Sequence, residues 1–184
     1  EWAGVAIGLN FNTEFLDGVG LEMDDGIVVD EYMQTSVDDI YAAGDLTRYY
    51  DTILNSRAQN GAWGSAKEQG SVAGTNMVTD AEEREFRWVS SYSITHFDFP
   101  FLSFGHPARG DNEAERRYSD SEWRRLAFEN GQLIGGVLIG DLSQQSTFKK
   151  LIREERHVAD QKELLLEKDV DLEEVKAQTA PPAE

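Results

Sequence analysis

The stretch "DDIYAAGD" at residues 38–45, followed from Ser56 by a run rich in alanine and glycine, constrains this chain more than any other. The apolar residues from Ile40 to Ala43 predict a buried strand that ends at a Gly44-Asp45 corner. From Ser56 to Val78 the spacing becomes helical, with Ala58, Ala62, Ala66, Gly70 (or Ala73) and Met77 on one narrow stripe. Such a stripe lets a helix lie close to a sheet, although each of Gly61, Gly64, Gly70 and Gly74 lowers helix propensity, by up to about 1 kcal/mol. Strand, corner and small-residue helix predict an α/β arrangement. Gly44 permits close approach of backbone to a ligand. Asp45 is able to accept charge-assisted hydrogen bonds from hydroxyl groups, and the helix that follows presents free N–H groups at its start. On these residues alone, two readings stand: a corner for a polyhydroxylated ligand, or an ordinary strand-ending turn. The dipeptide recurs in plain loops at Gly110-Asp111 and Gly140-Asp141.

Around this unit, "GVAIGLNFNT" predicts a short strand entering a polar loop, and Asp25-Gly26 predicts a turn before a strand at Ile27–Val29. "TDAEERE" at 79–85 is a charged break and the expected domain boundary. Beyond it, 86–105 is aromatic and β-like, 106–122 reads as a polar loop, and Asn130-Gly131 between two apolar runs predicts a hairpin. "STFKKLIREER" has helical spacing, and the charged remainder predicts short helices and a disordered end. The expected organisation is 1–80, a small α+β domain at 85–152, and an acidic tail at 153–184.

The 184 residues carry a formal net charge of -18, from 35 acidic against 17 basic side chains. That surface repels nucleic acid and anionic membranes, so neither is an expected partner. Only six lysines and an even spread of carboxylates suit a salt-adapted cytoplasmic protein, an ordinary acidic protein being the other reading. The chain contains no cysteine, which excludes disulfides, thiolate metal sites and a cysteine nucleophile within it. No stretch approaches the ~20 apolar residues that span a bilayer, and no signal-peptide pattern opens the chain. The start, "EWAGVAIGLN", lacks methionine and enters a strand pattern at once, which reads as a fragment.

"GIVVDEYMQTSVDDIYAAGD" resembles the second flavin-binding motif of the FAD-dependent pyridine nucleotide oxidoreductases. The resemblance implies that Asp45 holds the ribityl hydroxyls of FAD, that Ala43 and Gly44 line the approach, and that Thr35 shapes the strand pair before it. "VAIGLNFNTEFL", with Gly8 and Asn12, is similar to the family's return strand from its nucleotide-binding domain, and "WGSAKEQGSVAGTNM" to the helix after the corner. Ala62 and Trp63 at that helix start are the further implied cofactor contacts. "WRRLAFENGQLIGGVLIGDLSQQSTFKKLI" resembles the small final domain of the rubredoxin reductase and assimilatory nitrite reductase branch. The implied fold is the C-terminal portion of an FAD-binding domain followed by a small α+β interface domain. The implied activity is electron transfer from NAD(P)H through FAD to an unidentified acceptor. No "GxGxxG" occurs in the chain, so both phosphate cradles are expected upstream, on an N-terminal part of the same reductase. By the same resemblance a homodimer and a redox acceptor protein are expected partners.

No side chain reads as a general acid or base. His96, His106 and His157 share no metal-ligand spacing. The phenylalanines at 97, 99, 101 and 104 fit core or subunit packing better than docking of an electron partner. The acidic run 160–176 reads as a solvated helix face. The alternative to a reductase segment is a non-catalytic assembly module with a vestigial flavin corner.

Overall fold

The computed structural model describes residues 2–5, 10–79, 83–96 and 98–179. The chain divides into two compact units, 1–86 and 87–184, within a mixed α/β class. The sequence expectation of a strand over "VAIGL" and of a disordered end at 180–184 falls largely outside the described residues, as do Phe97 and part of the charged break.

In the first unit, Asp25 at φ 50° and Gly26 turn the chain into β1 (Ile27–Val28). β1 runs parallel to β2 (Thr47–Asp51), and β3 (Ser56–Ala58) returns antiparallel to β2. β2 alternates strictly, burying Thr47, Tyr49 and Asp51. The buried Asp51 accepts from the amides of Ile53 (3.0 Å) and Leu54 (3.1 Å), which bends the chain toward β3. α1 (Trp63–Asn76) follows. Val28, Val29, Met33, Tyr49, Val72, Ala73 and Phe86 are buried, and the Tyr49 and Phe86 rings meet edge-on at 5.0 Å.

Three expectations change here. Ile40–Ala43 is not a buried strand; it folds back on 33–35 as a short ladder. Ala42 N donates to Met33 O (3.1 Å), Gln34 bridges Tyr41, and Thr35 N donates to Ile40 O (2.9 Å). Those apolar residues stay half-buried or exposed because the turn at Asp39 (φ 62°) spends them on each other, and the parallel pairing goes to β2. The helix begins at Trp63 rather than Ser56, since β2 captures 56–58 as its partner strand. The buried helix face is Ser65, Gln69, Val72, Ala73 and Asn76, whereas Gly70 and Met77 of the small-residue stripe are exposed. A methyl group on Gly70 or Gly74 would meet nothing within 4 Å. Gly70→Ala and Gly74→Ala are therefore expected to stabilise this chain by about 0.5–1 kcal/mol each, read as a rise in Tm.

The second unit is a five-stranded antiparallel sheet in the order β4-β5-β8-β7-β6, with β4 (Ser91–Ile94), β5 (Phe101–Gly105), β6 (Asn112–Arg117), β7 (Trp123–Glu129) and β8 (Gln132–Ile139). Asn130 and Gly131 at φ 50° and 82° make the two-residue hairpin that their dipeptide predicts. β6 lies inside the stretch expected to be a loop. Its "NEAERR" is polar on both faces because it is an edge strand, paired only to β7, so no alternation marks it. α2 (Gln145–Arg153) buries Phe148, Leu151 and Ile152, with Phe148 stacked on Phe104 at 5.7 Å.

The acidic run is not a free solvated face. Val158, Leu165, Leu166, Val170 and Val175 are buried, carried by the short helices α3 (Lys162–Leu165) and α4 (Leu172–Ala177). Arg124, only 3% exposed, donates from Nη1 to the carbonyls of Leu165 (2.9 Å) and Glu167 (2.5 Å) and from Nη2 to that of Lys168 (3.4 Å). Tyr118 donates its hydroxyl to Leu166 O. Glu154 adds a second anchor, accepting from Lys176 (3.1 Å) and Arg156 (3.2 Å). Burial pushes the Glu154 carboxyl up, but Lys176 and Arg156 outweigh it and hold it below its usual value. A depressed carboxyl stabilises the fold above its unfolded value and loses that contribution as pH falls through the folded one. Glu154→Gln is therefore expected to flatten the acid limb of stability below about pH 4, measured by urea melts across that range.

Candidate functional site

The corner forms where the 33–42 ladder runs out. Gly44 adopts φ 100°, a left-handed conformation that any side chain would strain, and the space beside its Cα is open. The Thr47 amide then donates to Gly44 O (3.0 Å), closing a four-residue turn in which Asp45 is the second residue. Both ends of this turn meet one atom. Gln69 Oε1, on α1, accepts from Gly44 N (2.7 Å) and lies 2.7 Å from Thr47 Oγ1. Gln69 Nε2 donates to Ser65 Oγ (3.2 Å), one helical turn earlier. The Asp45 carbonyl accepts from Gln59 Nε2 (3.3 Å), which also reaches Asp25 O (3.2 Å).

The Asp45 backbone is thus held from two sides. Asp45 is half-buried, and its carboxylate has no hydrogen bond or ion pair among the described residues. It is an acceptor available to a ligand's donors. Ala43 is exposed beside it. Ala62 is the N-cap of α1; its amide donates to Asn60 Oδ1 (3.0 Å), and its own side chain makes no capping hydrogen bond. Trp63 is 80% exposed, with the Lys67 ammonium 5.5 Å from its ring. Thr35 is away from the corner, two rungs down the ladder, where its hydroxyl bonds the Val37 backbone (3.2 Å). A cleft of about 810 Å³ opens beside Gln59, lined also by Asn12, Glu14, Met23, Asp25 and Gly26.

Gln69, Thr47 and Ser65 received no role from the sequence. Their signal was present: Ser65, Gln69 and Asn76 are polar residues at helical spacing on the same face as Val72. A polar stripe on a buried face marks hydrogen bonds to something other than water. Among the described residues, no His, Asp and Glu group is arranged to hold a metal, and no helix is long and apolar enough to cross a membrane.

Residues 3–60, which contain the whole corner turn, match the family described as pyridine nucleotide-disulphide oxidoreductase. Residues 93–156 match the rubredoxin NAD+ reductase C-terminal domain. The two matched stretches together take in about two thirds of this chain. In agreement, it is 30% identical over 182 residues to pyridine nucleotide-disulfide oxidoreductase domain-containing protein 1 of Pongo abelii, covering 92% of this chain and 36% of that protein. The segment therefore spans about a third of the length of that relative. Among solved structures, it is similar to putidaredoxin reductase in covalent complex with putidaredoxin, at a TM-score of 0.78 and 21% identity, over 93% of this chain and 40% of that one. A ferredoxin reductase from Rhodopseudomonas palustris gives a TM-score of 0.77 at 19% identity, over 92% and 41%. Both likenesses concern fold. They agree with an α/β segment continued by a small C-terminal domain.

Proposed function

We propose that this chain is the flavin-facing C-terminal segment of an FAD-dependent NAD(P)H oxidoreductase. The single observation that carries the reading is the Asp45 carboxylate, without a partner among the described residues, beside a left-handed glycine in the segment that matches the oxidoreductase family. Ribityl hydroxyls are donors, and an ionised carboxylate held on a fixed turn is the acceptor they require. Bound FAD would supply the hydride and electron chemistry. The chain's own residues bind and orient: Asp45 accepts from the hydroxyls, Gly44 and Ala43 leave the approach open, and the start of α1 at Ala62-Trp63 presents amide N–H groups and positive dipole. Residues 1–80 complete a flavin domain in this reading, and 85–152 form an interface domain that supports a homodimer. The remaining two-thirds of the relatives' length would carry the nucleotide cradles for FAD and NAD(P)H. Electrons would leave for a redox protein, a role supported by the likeness to a reductase solved with its redox partner.

The test is Asp45→Ala in the full-length protein, purified with its flavin and assayed by visible absorbance. Loss of two charge-assisted hydrogen bonds predicts about a hundredfold weaker FAD binding. Unchanged flavin content and affinity would refute the assignment.

A further inference from the structure

We infer that Gln69 is the positioning residue of this corner: it clamps both ends of the turn that carries Asp45 and so sets the direction in which the carboxylate is offered. The inference rests on the flavin reading of Asp45. Gln69, Ser65 and Thr47 are each 0–1% exposed, so this hydrogen-bonded group lies entirely out of water. In that setting Gln69 Oε1 is the acceptor for the Gly44 amide at 2.7 Å, and the Thr47 hydroxyl sits between it (2.7 Å) and Gly44 O (2.8 Å). The Gly44 amide therefore points into the protein rather than toward a ligand. The Gln69 bond fixes the peptide plane before Gly44, and the plane after it is fixed by the Thr47 amide (3.0 Å) and hydroxyl (2.8 Å) on Gly44 O. Asp45 is the next residue, and its own carbonyl is tied to Gln59. With main chain fixed on both sides, the side chain is the part left pointing outward. The amide of Gln69 is itself oriented by Ser65: donation from Nε2 to Ser65 Oγ leaves Oε1 facing Gly44. The clamp joins residues 22 and 25 positions apart, so it also couples the corner to α1.

A glutamine that merely satisfied buried donors would affect stability, and its loss would weaken flavin binding equally with or without Asp45. A positioning residue acts through Asp45, and a double-mutant cycle separates the two. In the full-length protein, FAD affinity is measured by flavin fluorescence quenching on titration of apoprotein, with the visible circular dichroism of the bound flavin as a second readout. Gln69→Leu is expected to weaken FAD about tenfold and to alter that dichroism, yet to change affinity less than about twofold in an Asp45→Ala background. Gln69→Glu, which retains an acceptor for both donors, is expected to recover most of the loss. If Gln69→Leu does not fold, Thr47→Val, which removes one arm of the clamp, is expected to give about a threefold loss that likewise vanishes without Asp45. Equal losses in both backgrounds would overturn the positioning role alone. An Asp45→Ala protein with unchanged affinity would overturn the flavin reading, and the inference with it.

Discussion

Gly105→Ala is expected to lower the Tm of the second unit by about 10–20 °C, the equivalent of about 3 kcal/mol. Gly105 ends β5 at φ 57°, and a Cβ there would sit 2.2 Å from Ile134 O and 2.9 Å from the Gly135 Cα. Both obstacles are backbone, so no rotamer change relieves them. The opposing glycine is equally confined, since a Cβ on Gly135 would lie 2.4 Å from His106 N. The pair Gly105 and Gly135 thus lets β5 and β8 come together at the rim of the sheet. Near-ultraviolet circular dichroism melts would report the change, with the Asn130-Gly131 hairpin as the part least affected. A Tm within about 3 °C of the parent would mean that β5 does not close on β8 as described.

Arg124→Met is expected to release the 158–176 segment while leaving the sheet folded. The methionine fills much of the same volume against Phe148, whose ring lies 5.0 Å from the guanidinium, but it supplies no donor. The carbonyls of Leu165, Glu167 and Lys168 then lose their shared partner. Buried acceptors left unmade cost about 1–3 kcal/mol each. Burial already pulls the Arg124 guanidinium below its ordinary pKa, with Tyr118 and Asp141 opposing, so the charge is held at some expense for what it binds. Hydrogen exchange at Leu165, Leu166 and Val175 is expected to accelerate about a hundredfold, roughly 2.7 kcal/mol, with β7 and β8 protected. Uniform acceleration across the sheet would show instead that Arg124 supports the whole core.

Much of the frame was legible because it is written in local chemistry. Asn130-Gly131 states a hairpin by its own backbone preferences, and the 146–156 run shows its helical face through Phe148, Leu151 and Ile152. Gly44-Asp45 was legible as a corner for the same reason: a left-handed glycine is a local demand. What escaped depends on partners distant in sequence. Ile40–Ala43 looks like a strand by hydrophobicity, but β2, not this segment, wins the pairing with β1. Arg124 sits in a strand pattern as an ordinary outward-facing charge, and only the arrival of residues 165–168 makes it a buried donor. The roles of Gln69 and Thr47 required knowing that α1 turns its polar stripe toward the corner. Gly70 and Met77 of the stripe lie on the exposed side: small residues signal close packing without saying against what.

The connectivity of the five-stranded sheet carries a kinetic consequence. β6, β7 and β8 are joined by short links and pair in sequence, whereas β4 and β5 must cross past β6 and β7 to reach the free side of β8. Local pairing closes a small loop and distant pairing a large one, and the entropy lost grows with loop size. The transition state for folding should therefore contain the β7–β8 hairpin and lack the pairing of β5 with β8. We predict φ-values near 1 for conservative changes at Leu126 and Leu133 and near 0 at Leu102. The reverse ranking would mean that the sheet is assembled from its aromatic edge inward.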